Sequence, residues 1–218
     1  MSVEASRLRS TLCTISLGLT GLGLGVEVAA TQWRLPHIDA LVPFLSLSYE
    51  HNVPTWFSSV LLFCCALALG TIARSPGPGR RAHWAVLGFI FLFMSLDETA
   101  QLHEHLGLLL EGRGVLYFSW VIPAALAVAV GGLAFLPFLR ALPSRRRNQF
   151  MAAGVTYVAG ALLMELPLGW WTERAGNDNL TYAAIDHLEE LLEMLGASLF
   201  LAALVEQLQP EPAAGVTV

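Results

Sequence analysis

The sequence predicts an all-α polytopic membrane protein, a bundle of six transmembrane helices, on three observations. Of 218 residues, 55% are hydrophobic, about 120 in all, the number that six spans of roughly 20 residues require. Only 13% are charged, about half the roughly 25% of an ordinary soluble domain, and the mean hydropathy is +0.60. The apolar residues also fall into separate runs divided by turn-forming clusters. These features exclude a soluble enzyme, a disordered chain and a nucleic-acid binder. The net charge of −5 agrees, since nucleic-acid readers carry a basic face.

The expected spans are residues 12–30, 54–73, 84–107, 116–139, 150–170 and 183–204. Between them stand Ser75-Pro76-Gly77-Pro78-Gly79, Gly112-Arg113-Gly114, Leu142-Pro143-Ser144 and Gly176-Asn177-Asp178-Asn179, residue types that interrupt helices. Arg7 and Arg9 precede the first run as in a signal peptide. That run is long enough to span and no cleavage site follows, so a retained helix is expected. The chain thus reads as one transmembrane domain, 1–209, with a disordered Pro/Ala/Gly-rich tail, 210–218.

The arginines orient the bundle. Arg7, Arg9, Arg74, Arg80, Arg81, Arg140 and Arg145 to Arg147 fall on one side of a six-span arrangement, nine of the twelve. The positive-inside rule makes that side cytoplasmic, with both termini inside. Trp33, Trp56, Tyr117, Trp120, Trp170, Trp171 and Tyr182 collect near the opposite ends, as an outer aromatic belt would. The expected location is the bacterial cytoplasmic (inner) membrane. All twelve basic residues are Arg, so a Schiff-base lysine is excluded. Cys13, Cys64 and Cys65 sit in apolar runs without metal or redox spacing and read as core residues. Gly18, Gly21, Gly23 and Gly25 read as a close-packing face of the first span.

The acids sort oppositely: fourteen of seventeen lie in the outer half or outer loops, as do five of six histidines. Acids contribute little to topology, so this clustering has another cause. On a continuous third span, about 100° per residue places Asp97, Glu98, Gln101, Glu104 and His105 within one arc of about 140°, with His103 on the opposite side. On the sixth span, Asp186, His187, Glu190 and Glu193 share a face, with Glu189 at its edge. Laid antiparallel, Asp97 and Glu98 stand opposite Glu193 and Glu190. Glu104 and His105 then stand opposite Asp186 and His187. Glu165 reaches a similar depth in the fifth span, and Glu50 and His51 precede the second.

A charge at mid-membrane costs about 2.5–3.5 kcal/mol even on the lenient insertion scale. Such a face persists if it binds cations, shares protons or lines water. Carboxylates plus imidazoles, with no usable thiolate, favour iron, manganese or zinc. The expected ligands are Glu98, His105, His187, Glu190 and Glu193, with Asp97 and Glu165 either orienting those ligands or transferring protons. The Glu-x-x-His of di-iron bundles is missing from these faces. Segments 97–107 and 186–196 match as D-x-x-x-[QE]-L-x-E-x-L-G, each closing the third helix of an expected three-plus-three inverted repeat.

Leu96-Asp97-Glu98 with His103-Glu104, and Glu189-Glu190 with Glu193-Met194-Leu195-Gly196, resemble a widespread group of bacterial six-span membrane proteins carrying LDE-x4-HE and EE-x2-EMLG helices. The resemblance covers most of the chain and implies no established activity. More remotely, Glu50-x-Asn52 followed by Ser58-Ser59 is similar to the alkaline ceramidase and adiponectin-receptor-like membrane hydrolases. Those use zinc with a late His-x3-His, which this sequence lacks.

The expected function is therefore that of a membrane protein with an outer-leaflet carboxylate/His metal site, a metal-dependent enzyme acting on a lipid, isoprenoid or quinone. Two other classes fit the same residues: a cation or proton transporter, and a non-catalytic subunit of a larger membrane complex. Expected partners are membrane lipids, an apolar lipid-like substrate and, for a subunit, membrane-complex proteins, with no nucleic acid.

Overall fold

The computed structural model describes residues 3–75, 80–107 and 111–209. Among them the regular structure is entirely helical, with no strand. The helices are α1 (Val3–Thr31), α2 (Val42–Leu45), α3 (Val53–Arg74), α4 (Arg81–Ala100), α5 (Leu102–Gly107), α6 (Val121–Arg140), α7 (Ser144–Val158), α8 (Glu165–Ala175) and α9 (Leu180–Leu208). A π-helical turn, Ala159–Met164, joins α7 to α8 without a break. The Pro/Gly run at 76–79 and the tail from Pro210 lie outside the described residues.

Four stretches are long and apolar enough to cross a membrane: Val3–Thr31, Val53–Arg74, Val121–Arg140 and Ser144–Ala175. The two acid-bearing helices, α4 and α9, are not among them. Local chemistry explains several boundaries. Asn52 caps α3 by accepting from the Thr55 N–H at 3.0 Å, and Asn179 caps α9 by accepting from Tyr182 at 3.0 Å. Gly176, at φ +72°, turns the chain at the end of α8. The π turn ends just before Pro167, which lacks an N–H and whose ring would collide with the carbonyl of Leu163 in a regular helix. The widened turn accommodates it.

α9 is the axis of the bundle: α1, α3, α7 and the π turn all pack on it. Leu61, Leu62, Cys65, Leu69, Trp84, Phe138, Phe150, Phe200 and Leu204 form the core at the arginine-bearing end. There Trp84 meets Phe138 and Phe150 edge-on, and Arg145 pairs with Glu206 at 2.7 Å. Of the four glycines in α1, only Gly23 packs closely. A Cβ there would meet the Leu45 carbonyl at 2.5 Å and His187 Nε2 at 3.0 Å, whereas Gly18, Gly21 and Gly25 face open space. The expected four-glycine packing face is therefore one position wide.

The third expected span is not one helix. α4 stops at Ala100 because Gln101 adopts a left-handed conformation, φ +53°, and α5 starts afresh at Leu102. The matching segment on α9 runs unbroken through Glu190. The two copies of the motif therefore fold differently.

Candidate carboxylate–histidine site

α4 and α9 run antiparallel in a register fixed by aromatic stacking. Phe91 lies parallel on Phe200, ring centroids 4.9 Å apart. Two helical turns further along each helix, in opposite directions, stand Glu98 and Glu193, whose carboxyls are electrostatic neighbours. Glu190, one turn from Glu193, and Glu50, from the loop before α3, join them. The Tyr157 hydroxyl lies beside Glu193. Close backbone approach puts it there. A Cβ at Gly196 would lie 2.6 Å from the Tyr157 nitrogen, and one at Gly160 would lie 2.9 Å from Glu193 Cγ. The π turn thus seats directly on the acidic stretch of α9.

A second group surrounds Glu165 at the start of α8. Trp120 Nε1 donates to Glu165 Oε1 at 3.1 Å, and Asp186 and Glu189 are its acidic neighbours. Glu165 and Glu189 are each only 7% exposed, and Oε2 of each has no hydrogen-bond partner. Among the described residues, the arginine–carboxylate pairs Arg145–Glu206 and Arg174–Glu173 do not involve Glu98, Glu165, Glu189, Glu190 or Glu193. The basic side chain nearest these carboxylates is His103, a neighbour of both Glu165 and Glu193. The negative field reaches the neighbouring loop, where burial, with Glu27 and Asp178 nearby, raises the Tyr49 phenol above its ordinary pKa.

His103 enters this site through the break at Gln101. Its backbone N–H donates to Asp97 Oδ1 at 2.9 Å, and its ring Nδ1 lies 2.9 Å from Asp97 Oδ2. One carboxylate thereby grips both the start of α5 and the imidazole. Trp120 packs on the other side, ring centroids 4.7 Å from the imidazole. On a continuous helix Asp97 and His103 would point about 120° apart. The expectation that His103 faces away is corrected by the left-handed residue between them.

The other two histidines do not form the expected pair. His187 is 1% exposed. Its Nδ1 donates to the Ala183 carbonyl at 2.7 Å, and its Nε2 accepts from the Leu47 N–H at 3.3 Å. That arrangement serves to dock the loop before α3 onto α9. His105 is exposed on α5, with Nδ1 2.7 Å from the Gln101 carbonyl. The side chain of Glu104 lies outside the described residues. Among the described residues no three His, Cys, Asp or Glu side chains converge as metal ligands do. The expected ligand set Glu98, His105, His187, Glu190 and Glu193 is therefore only partly assembled. Its three glutamates are neighbours, and its two histidines stand apart from them.

The sequence reading missed His103, Trp120 and Tyr157. No glycine or proline marks the break at Gln101, Trp120 resembles a belt residue, and Tyr157 lies among apolar neighbours. The Glu50-x-Asn52 and Ser58-Ser59 motifs have mostly structural work. Asn52 Nδ2 donates to the carbonyls of Ser46 and Tyr49 at 2.7 and 2.6 Å. Ser59 donates to the Ser95 carbonyl at 2.8 Å, tying α3 to α4.

Fold and site together define an all-helical protein with membrane-length helices and a buried carboxylate–histidine cluster. Residues 6–208 match the family described as a domain of unknown function (DUF8692), and the chain belongs to that family. No curated protein and no solved structure matches it.

Proposed function

We propose that the chain is a six-span protein of the bacterial cytoplasmic membrane, both termini on the arginine-rich cytoplasmic side. Its cluster faces the periplasmic side and performs acid–base chemistry on a lipid, isoprenoid or quinone. What supports an inverted three-plus-three repeat is the shared letter pattern of segments 97–107 and 186–196, although α9 is continuous where the first copy breaks at Gln101. The observation that carries the functional reading is the Asp97–His103 pair, 2.9 Å ring to carboxylate, set beside Glu165 and Glu193. A carboxylate on one ring nitrogen fixes the tautomer and orientation that proton transfer needs. Glu165 and Glu193 are then the groups with which His103 exchanges protons, and Asp97 is the positioning residue.

A transporter requires polar groups continuing to the other face. Below Glu193, α9 buries Ala197, Leu201 and Leu204, an apolar floor that favours chemistry on one side. A divalent cation is a second reading, favoured by the meeting of Glu98, Glu190 and Glu193. It would rest on carboxylates and not on His105 and His187.

The test is conversion of lipid. The chain is reconstituted into vesicles of a bacterial total lipid extract, and lipid species are followed by untargeted mass spectrometry. The wild type converts at least one species, while Glu193→Gln and His103→Ala, folded by circular dichroism, do not. No change with the wild type, or equal conversion by both variants, overturns the reading.

A further inference from the structure

Directly below the carboxylates lies an apolar cavity of about 190 Å³. Phe91 of α4, Phe135 and Phe138 of α6, and Phe150 and Tyr157 of α7 line it, with Ala197 of α9. Its lining is almost wholly apolar, yet Tyr157 belongs both to its wall and to the carboxylate site, since the hydroxyl lies beside Glu193. Glu98 and Glu190 also act on that hydroxyl. Tyr157 is therefore the side chain that joins the apolar cavity to the carboxylates, with Gly196 of α9 also in the cavity wall one turn from Glu193. The wall formed by α6 is thin. Only Val121 and Phe138 of that helix are buried, and Leu133 is 72% exposed, so the cavity is separated from the surroundings by a helix that packs on the bundle near its ends.

We propose that this cavity holds the tail of a single-chain amphiphile whose cationic amine head sits against Glu193, beside Glu98 and Glu190. This names the substrate class of the acid–base site and rests on that reading. Three features select the ligand. An aromatic-walled space of this volume takes one hydrocarbon chain, and filling it removes apolar surface from contact with water. A carboxylate-rich site disfavours a phosphate or carboxylate head, whereas an ammonium beside Glu193 favours its ionised form and is held by it. Glu165 and Glu189, each 7% exposed with an oxygen that has no hydrogen-bond partner, extend the carboxylate group beyond Glu193.

The experiment is a binding measurement that needs no turnover. Full-length chain in non-ionic detergent is titrated with dodecylamine, dodecanol and dodecanoate at neutral pH, and adducts are counted by native mass spectrometry. The expected result is one saturable dodecylamine adduct, weaker dodecanol binding and no dodecanoate adduct. Glu193→Gln weakens dodecylamine about tenfold or more and leaves dodecanol unchanged, because only the charged head loses its partner. Gly154→Leu fills the cavity from α7, where a Cβ meets nothing within 4 Å, and abolishes both adducts. Leu87→Trp does the same from α4 and stands in if Gly154→Leu does not fold. Dodecanoate binding as well as dodecylamine overturns the proposal. So does unchanged binding in the folded cavity variants, or adducts that never saturate. Lipid conversion without amine binding would sink this ligand assignment alone. Amine binding without conversion would sink the catalytic reading and leave the site standing.

Discussion

Asp97 holds His103 twice, ring Nδ1 to Oδ2 and backbone N–H to Oδ1, both at 2.9 Å. The double contact crosses a helix break with no glycine or proline in it, so it positions the imidazole and also starts α5. The carboxylate thus plays the part of an N-cap for α5. Replacing Asp97 by Ala is expected to cost about 1–2 kcal/mol, as loss of a cap does. Asp97→Asn, which can still accept from the backbone, should cost less. Thermal unfolding in detergent measures both. Nitrogen-15 spectra of labelled histidine should show the His103 tautomer altered in each variant.

Gln101 gives a test in which the sign decides. At φ +53° a residue with a Cβ is strained by about 1–2 kcal/mol, and glycine is not. Gln101→Gly should raise stability by up to about 1 kcal/mol. In a continuous helix the same change would lower it by about 1 kcal/mol. The unfolding midpoint of this one variant separates the two conformations.

Gly196 and Gly18 form a matched pair. A Cβ at Gly196 would sit 2.6 Å from the Tyr157 nitrogen, and one at Gly18 would meet nothing within 4 Å. Gly196→Ala should therefore cost about 1–3 kcal/mol by overpacking. Gly18→Ala should be neutral or stabilising by up to about 1 kcal/mol through helix propensity. Equal effects in chemical denaturation would refute the close approach of α7 to α9.

His187 is predicted to matter for folding and not for metal content. Truncation to Ala strands the buried Leu47 N–H, which donates to Nε2 at 3.3 Å, at a cost of about 1–3 kcal/mol. Elemental analysis of the folded variant should give the same metal content as the wild type. A stoichiometric metal lost with His187→Ala would restore this histidine as a ligand.

The runs at 12–30, 54–73 and 183–204 were legible because hydrophobic length and breakers are strong local signals, and each falls within a single long helix, α1, α3 and α9, whereas the third run is divided at Gln101 and the fifth covers α7, the π turn and α8. The second, expected at 54–73, is α3, Val53–Arg74. The meeting of Glu98 with Glu190 and Glu193 was also legible, since helical spacing and antiparallel order set it. The histidines were not. Whether a histidine is sealed by a backbone N–H, as His187 is by Leu47, depends on a loop 140 positions away in the chain. The phase of His103 depends on one left-handed residue whose side chain carries no local signal. The π turn was foreshadowed only by Pro167, and its placement on Glu189 and Glu193 is a tertiary fact.

We infer that His103, and not His105, serves the carboxylate site. Both histidines lie on the same short helix, so substituting each is a matched comparison. Lipid conversion and metal content should be measured on the same preparations of His103→Ala and His105→Ala, with folding checked for each. His103→Ala is expected to lose conversion while His105→Ala retains it, with no difference in metal between them. If His105→Ala is inactive and metal-depleted while His103→Ala converts lipid normally, α4 and α5 act as one continuous helix and the assignment is contradicted.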